Sequence, residues 1–171
     1  MKHDTSSRKA IVAVLTVSDT RSIEDDRSGA IAVDELEQGG HSVAVRELVH
    51  DEHAAIAAMV TKWAGDESVH AIVVTGGTGP SRRDVTPEAV FPLMSATMPG
   101  FGELFRQLSY ETIGAAAMLS RAEAGWIDAG ALRTPVFLIP GSPKAVQLAM
   151  HKLVVPQLGH LLDVCSLEPK Q

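Results

Sequence analysis

Three short apolar runs separated by helix-patterned stretches dominate what this chain can fold into. Ala10–Val17 is rich in Val and Ile, Ser42–Val49 alternates in polarity, and Val69–Thr75 is again nearly continuous in apolar residues. Runs of this kind suit strands, the near-continuous ones being covered on both faces. Between the first two, Ser28 opens a segment carrying Ile31, Ala32, Val33 and Leu36 and stopped by Gly39-Gly40. That is a helix with a glycine stop. Between the second and third, Glu52–Ala64 places Ile56, Met59, Val60 and Trp63 on one helical face, and Gly65 closes it. The order strand, helix, strand, helix, strand predicts an α/β fold, with a mostly parallel sheet and helices on both faces in three layers.

The second half reads less regularly. Pro87 suits the first turn of a short helix from Thr86, and Pro92 and Pro99 break the region that follows. Gly100–Leu108 reads as helix and Ile113–Met118 as its extension, with the Ala-rich Gly114–Met118 expected in the core. Arg133–Ile139 is a further strand with Pro135 near its start, and Ala145–Leu161 is helical, bent or broken at Pro156. No repeat or linker divides the chain. One domain over residues 10–164 is expected, with tails at 1–9 and 165–171.

Composition narrows the function classes. The chain has 171 residues and a formal net charge of -6, which disfavours bulk attraction to nucleic acid or an anionic membrane. Aromatic residues make up 4%, too few for a base-stacking platform. A single cysteine, Cys165, excludes a disulfide framework and a cysteine-rich zinc site. The longest apolar runs, Ala10–Leu15 and Ala54–Val60, fall far short of the roughly 20 residues of a membrane span. Met1–Arg8 is polar with no apolar signal segment behind it, so a cytoplasmic chain is expected.

Chemistry concentrates in loops. Thr75-Gly76-Gly77-Thr78-Gly79 follows the third strand, where glycines let backbone N–H groups approach an anion. It lacks the Gly-Lys-Ser/Thr ending of a P-loop and the spacing of a dinucleotide fingerprint. A plain glycine turn is the alternative. Arg82 and Arg83 just beyond could hold phosphate oxygens, and Asp84 could place a divalent cation or merely favour a helix N-terminus. Asp51 ends the second strand; in a parallel sheet it shares an edge with the Gly76 loop, so Asp51 and Asp84 could converge on one metal. It could equally cap the helix from Glu52. His50 and His53 have the wrong spacing for one helix face, so zinc is not expected. Pro140-Gly141-Ser142-Pro143-Lys144 is a second strand-to-helix turn, able to clamp an anion or to stand as a stiffened turn with a solvated lysine. Gly100 and Gly102 flank Phe101, which forms either an apolar wall or part of the core. Ser109 and Arg121 are polar residues in apolar neighbourhoods.

Taken in order, these blocks resemble the molybdenum cofactor biosynthesis protein B family, MoaB/Mog. The resemblance rests on Leu15–Asp19, Asp26–Gly29, Thr75–Pro80 with Arg83–Pro87, Met98–Glu103 and Pro140–Lys144, and spans nearly the whole chain. It implies a molybdopterin-binding α/β domain, related to the gephyrin G domain and its plant counterparts, that forms a homo-oligomer, trimer or hexamer. Active members transfer AMP from Mg-ATP to molybdopterin and release pyrophosphate; the product goes on to metal insertion, which makes the molybdenum-insertion protein a further partner. By the same resemblance Asp51 and Asp84 are the catalytic, Mg2+-associated carboxylates. Thr75, Gly76, Gly77, Thr78 and Gly79 form the phosphate and pterin loop. Gly100, Phe101 and Glu103 belong to the nucleotide side, and Ser109, Gly141, Ser142 and Lys144 to the phosphate and pterin pocket. Asp19 to Arg21 lie near that pocket. Some relatives lack an aspartate at the position of Asp51 and look inactive; its presence here favours an adenylyltransferase over a non-catalytic molybdopterin carrier. A nucleotide or cofactor hydrolase is a weaker alternative, because no residue is identified that activates water.

Overall fold

The computed structural model describes residues 8–165; the expected tails fall largely outside this range. Six strands form one sheet: β1 (Ile11–Val17), β2 (Ser42–Val49), β3 (Ala71–Thr75), β4 (Ala96–Thr97), β5 (Glu123–Ala129) and β6 (Leu132–Ile139). Their spatial order is β2-β1-β3-β6-β5-β4. The first four in that order run parallel, while β5 and β4 are antiparallel to their neighbours.

The chain leaves β1 through α1 (Arg27–Gln38) to reach β2, then returns through α2 (His53–Ala64) past β1 to β3. Right-handed crossovers in opposite directions put the two helices on opposite faces. The burial pattern agrees. Val12, Val14 and Val73 share a core with Ala32 and Leu36 of α1. Ala13, Leu15, Ile72 and Val74 share another with Ile56, Val60 and Trp63 of α2. Alternate residues of one strand feed two cores, which is why β1 and β3 read as continuous apolar runs. The predicted three-layer arrangement is therefore the one observed. The strand order reverses between β1 and β3, which opens a crevice beyond their carboxyl ends.

Three regions differ from the sequence reading. The strands β4 and β5 lie where it assigned none. The β5 sequence includes Gly125 and Asp128, and it reaches β6 through the two-residue turn Gly130-Ala131. A strand with an exposed Asp and a central Gly lacks the apolar pattern that marks the buried strands. Gly114–Leu119 is a 3-10 turn after α4 (Pro99–Ile113). It is not the core helix expected: only Ala117 is buried, and Met118 is 78% exposed. Apolar composition does not say which side of a turn is covered. Finally, α5 (Pro143–Ala149) continues through a π turn, Met150–Val154, into α6 (Val155–Cys165). The expected interruption at Pro156 takes that form. Pro156 offers no N–H and crowds the carbonyl one turn back; a wider turn relieves both. Cys165, the last residue of α6, accepts a hydrogen bond from Trp126 Nε1 at 3.0 Å and so ties α6 to β5. Among the described residues no helix is long and apolar enough to cross a membrane.

Candidate active site

The crevice between β1 and β3 brings together the Gly76 loop, Asp51, Asp84 and the Gly141 turn. Thr75 ends β3 fully buried, and its hydroxyl donates to the Pro140 carbonyl at 3.3 Å. Gly76 and Gly77 then turn the chain through φ of 102° and 62°, conformations that L side chains rarely adopt. At Gly76 a Cβ would stand 2.1 Å from the Val17 carbonyl oxygen, so the first turn of the loop rests directly on the end of β1. Gly76→Ala is expected to cost at least about 3 kcal/mol, because a backbone atom cannot step aside. Thermal unfolding checks this, and a variant that melts like the parent would refute it. The loop is held from below by Thr86, at the start of the short helix α3 (Thr86–Val90). Its hydroxyl donates to the Gly76 carbonyl at 2.9 Å and its N–H to the Gly77 carbonyl at 3.1 Å. Among the described residues the N–H groups of Gly77, Thr78 and Gly79 donate to no protein acceptor. Three free donors on a glycine loop at the end of a parallel strand can serve as an anion cradle.

Asp51 lies beside this cradle: a Cβ on Gly77 would stand 2.6 Å from Asp51 Oδ1. That oxygen is buried and has no hydrogen-bond partner. Burial first, then the charges of Asp19 and Asp84, raise the Asp51 carboxyl above the usual carboxylate range. Asp84, at the far end of the loop, accepts a hydrogen bond from the Ser81 N–H at 3.0 Å, with its carboxylate lying against Gly79. The two aspartates thus flank one loop, Asp51 beside Gly77 and Asp84 beside Gly79. The Asp51 carboxylate accepts no N–H from the first turn of α2, whose start has no side-chain cap.

Asp19, in the loop after β1, braces the pair. It accepts the Asp51 N–H at 3.1 Å and forms an ion pair with Arg83, including the Arg83 Nε contact at 3.1 Å. The Arg83 guanidinium, then the Asp51 N–H, hold the Asp19 carboxyl below the usual range. Of the two arginines expected to face phosphate, Arg83 is therefore engaged by Asp19, and Arg82 is exposed. His53 contacts the Glu88 carbonyl, while His50 lies 3.6 Å from Asp19.

The second loop joins the first. A Cβ on Gly141 would stand 3.0 Å from Gly76 Cα, so the two turns touch. The Gly141 carbonyl accepts from Ser28 Oγ at 2.8 Å and from Arg21 at 3.1 Å, which brings in the loop after β1. Ser142 caps α5 by accepting the Ala145 N–H. Just past this contact opens a cavity of about 590 Å³ between α1, α4 and α5, lined by Ser109, Ser142 and Lys144 together with Glu35, His151 and Lys152. Its size suits a drug-sized ligand. Neither Asp51 nor Asp84 lines it. The site thus has two parts, a carboxylate-bearing cradle and a cavity with cationic side chains, joined where Gly76 meets Gly141.

The segment after Met98 stands apart. Phe101 is 6% exposed and packs against Phe105 and Phe137 with ring centroids 6.4 Å and 5.4 Å away. Its ring belongs to the core and is not an exposed apolar wall. The reason is its place on the inward face of α4, four residues before Phe105. Gly100 and Glu103 are exposed on the first turns of α4, and no hydrogen bond or ion pair among the described residues links them to the loops at 76–84. Conversely, Thr86 and the Asp19–Arg83 pair hold the cradle without having been singled out for that task.

The carboxylates suit a hard divalent cation. Their donors are oxygen, and one of them, Asp51 Oδ1, is buried and unpartnered. A pair of carboxylates of this kind could take Mg2+ together with substrate phosphate oxygens.

The profile of a family described as "probable molybdopterin binding domain" matches residues 13–160. Molybdenum cofactor biosynthesis protein B of Bacillus subtilis is 50% identical over 150 residues, covering 87% of this chain and 86% of that protein. The Escherichia coli protein of the same name is 40% identical over 158 residues, covering 92% and 91%. The crystal structure of the tungsten cofactor synthesizing protein MoaB from Pyrococcus furiosus superposes with a TM-score of 0.84 at 31% identity, over 94% of this chain and 99% of that one. With the fold, the cradle and these matches in agreement, the chain belongs to the molybdopterin-binding family of molybdenum cofactor biosynthesis protein B.

Proposed function

We propose that this chain is a cytoplasmic molybdopterin adenylyltransferase that transfers AMP from Mg-ATP to the terminal phosphate of molybdopterin. The observation that carries this reading is the pair Asp51 and Asp84 flanking the Gly76 loop, with one Asp51 oxygen buried and unpartnered. A protein that only carried pterin would gain nothing from a half-buried carboxylate with an unpartnered oxygen there.

In the proposed reaction an oxygen of the pterin phosphate attacks the α-phosphorus of ATP. The bond from that phosphorus to the bridging oxygen of the β-phosphate breaks, and pyrophosphate leaves with the electron pair. The attacking oxygen is already anionic, so no general base is needed, and catalysis reduces to alignment and charge neutralisation. Asp51 and Asp84 would hold Mg2+, which offsets triphosphate charge when bound. The free N–H groups of Gly77, Thr78 and Gly79 would bind phosphate oxygens, and Lys144 with the Ser142 and Ser109 hydroxyls would hold the pterin phosphate in the adjoining cavity.

A homo-oligomer, trimer or hexamer, is part of the same proposal. It is supported by the apolar side chains left exposed on α4 and the turn after it, Leu104, Tyr110, Ile113, Met118 and Leu119. The molybdenum-insertion protein is the proposed recipient of the product.

The test combines purified protein, molybdopterin and Mg-ATP, with detection of pyrophosphate and adenylated pterin. Product that needs both pterin and the cation is the expected result. Tight pterin binding without product would replace the enzyme by a carrier, and nucleotide turnover without pterin would replace it by a hydrolase.

A further inference from the structure

Arg121 lies between the 3-10 turn and β5, outside every loop assigned to substrate, yet four of its contacts fall on or just beyond the cradle. Its N–H donates to the Thr78 carbonyl at 3.0 Å. Its Nε donates to the Gly79 carbonyl at 3.0 Å and its Nη2 to the Asp84 carbonyl at 2.7 Å. Its Nη1 pairs with Glu88 on α3. One guanidinium therefore grips both ends of the loop from Gly79 to Asp84 and is itself anchored by a carboxylate.

Within that loop the direction of the Asp84 carboxylate depends on closure. It turns back to accept the Ser81 N–H at 3.0 Å and packs against Gly79, where a Cβ would come within 2.9 Å of it. If the distance between Gly79 and Asp84 relaxes, the contact with Gly79 goes, and the turn from Ser81 to Asp84, closed by the Asp84 N–H to the Ser81 carbonyl at 3.1 Å, carries the carboxylate away with it. We propose that Arg121 is a positioning residue, a planar fork that sets the loop from outside so that Asp84 faces the cation and nucleotide. A lysine keeps the charge, but its three donors sit on one nitrogen and cannot span the two carbonyls and Glu88 that Nε, Nη2 and Nη1 reach separately. The inference rests on the adenylyl-transfer reading for the use made of Asp84.

The test is Mn2+ binding, followed by electron paramagnetic resonance in the presence of ATP, on the full chain and on the Arg121→Lys, Asp84→Asn and doubly substituted variants. Arg121→Lys is expected to weaken Mn2+ binding about tenfold or more, as loss of an outer positioning partner does. The double variant is expected to bind no more weakly than Asp84→Asn alone, because Arg121 acts through Asp84. A merely structural role would lower the melting temperature without this non-additivity. Arg121→Lys binding Mn2+ within about twofold of the parent, or losses that add, would overturn the proposal. Should Arg121→Lys not fold, Glu88→Gln removes the anchor and leaves the fork, and an unaffected Mn2+ affinity there would also count against it. AMP transfer is measured alongside. A parent whose Mn2+ affinity depends on Asp84 and, through it, on Arg121, but which makes no adenylated pterin, sinks the adenylyltransferase reading and leaves Arg121 its role. An active parent whose Arg121→Lys variant binds Mn2+ normally does the reverse.

Discussion

Asp51→Asn is expected to lower AMP transfer by roughly 10²–10³-fold, the size seen when one electrostatic element of a transfer site is removed, and at the same time to raise the melting temperature. The two effects share one cause. Asp51 Oδ1 is buried without a partner beside the cradle, and burial, then Asp19 and Asp84, push its carboxyl above the usual range. A group with a raised folded-state pKa holds more protons folded than unfolded as it titrates. The folded state therefore loses stability as pH rises from the unfolded value through the folded one, and the penalty is complete above it. At neutral pH the neutral amide removes that penalty. The gain in melting temperature should shrink as pH falls through the folded-state value and be nearly gone by about 4, where the unfolded carboxylate also takes up its proton. Pyrophosphate release and thermal melts at pH 7 and pH 3.5 measure both halves. A variant that is active and also less stable than the parent would show that Asp51 is an ordinary structural carboxylate. Asp84→Asn should lose activity likewise, without the gain in stability, because the Asp84 carboxylate already has the Ser81 N–H as its partner.

The opposite sign is expected at Asp26. Asp26→Ala should cost about 3 kcal/mol, because it removes a helix cap and breaks an ion pair that is buried on one side only, or a drop in melting temperature of about 10 °C for a chain of this size. Asp26 caps α1 by accepting the Gly29 N–H at 2.9 Å, accepts the Thr16 hydroxyl at 2.6 Å, and pairs with Arg46 at 2.9 Å. One carboxylate thus ties β1, α1 and β2 together directly below the crevice. Burial alone would raise its pKa, but these three donors outweigh burial and hold it below the usual carboxylate range. Its contribution is therefore present above the unfolded value near 4 and is lost as pH falls through the folded one. Denaturant unfolding at pH 7 should show the full difference between parent and variant, and at pH 2 a much smaller one. An equal difference at both pH values would mean that packing, and not the charged cap, stabilises this corner.

These two aspartates show how far the sequence reaches. Asp51 stood out because it ends a strand-like run on the same edge as a glycine loop, and a parallel sheet puts such ends together. The glycine stops after Gln38 and Ala64 and the apolar periods of α1 and α2 are local signals, and the elements lie within a residue or two of where they were expected. The strand β5 was not legible. Its pairing with β6 is decided by a partner strand, and Gly125 and Asp128 blur its own pattern. Phe101 could be placed in either wall or core until α4 turned its inward face toward Phe105 and Phe137.

The sequence by itself determined the α/β alternation, the family and the two loops that bear the chemistry, because strand and helix periods and glycine turns are written in neighbouring residues. Only the tertiary structure decided what holds those loops. Arg121 reaches Gly79 across 42 residues, Arg83 reaches Asp19 across 64, and Ser28 reaches Gly141 across 113. No local pattern records such pairs, since each depends on where the strand order brings distant chain ends together. That placement also leaves one Asp51 oxygen buried without a partner, the feature on which the proposed chemistry rests.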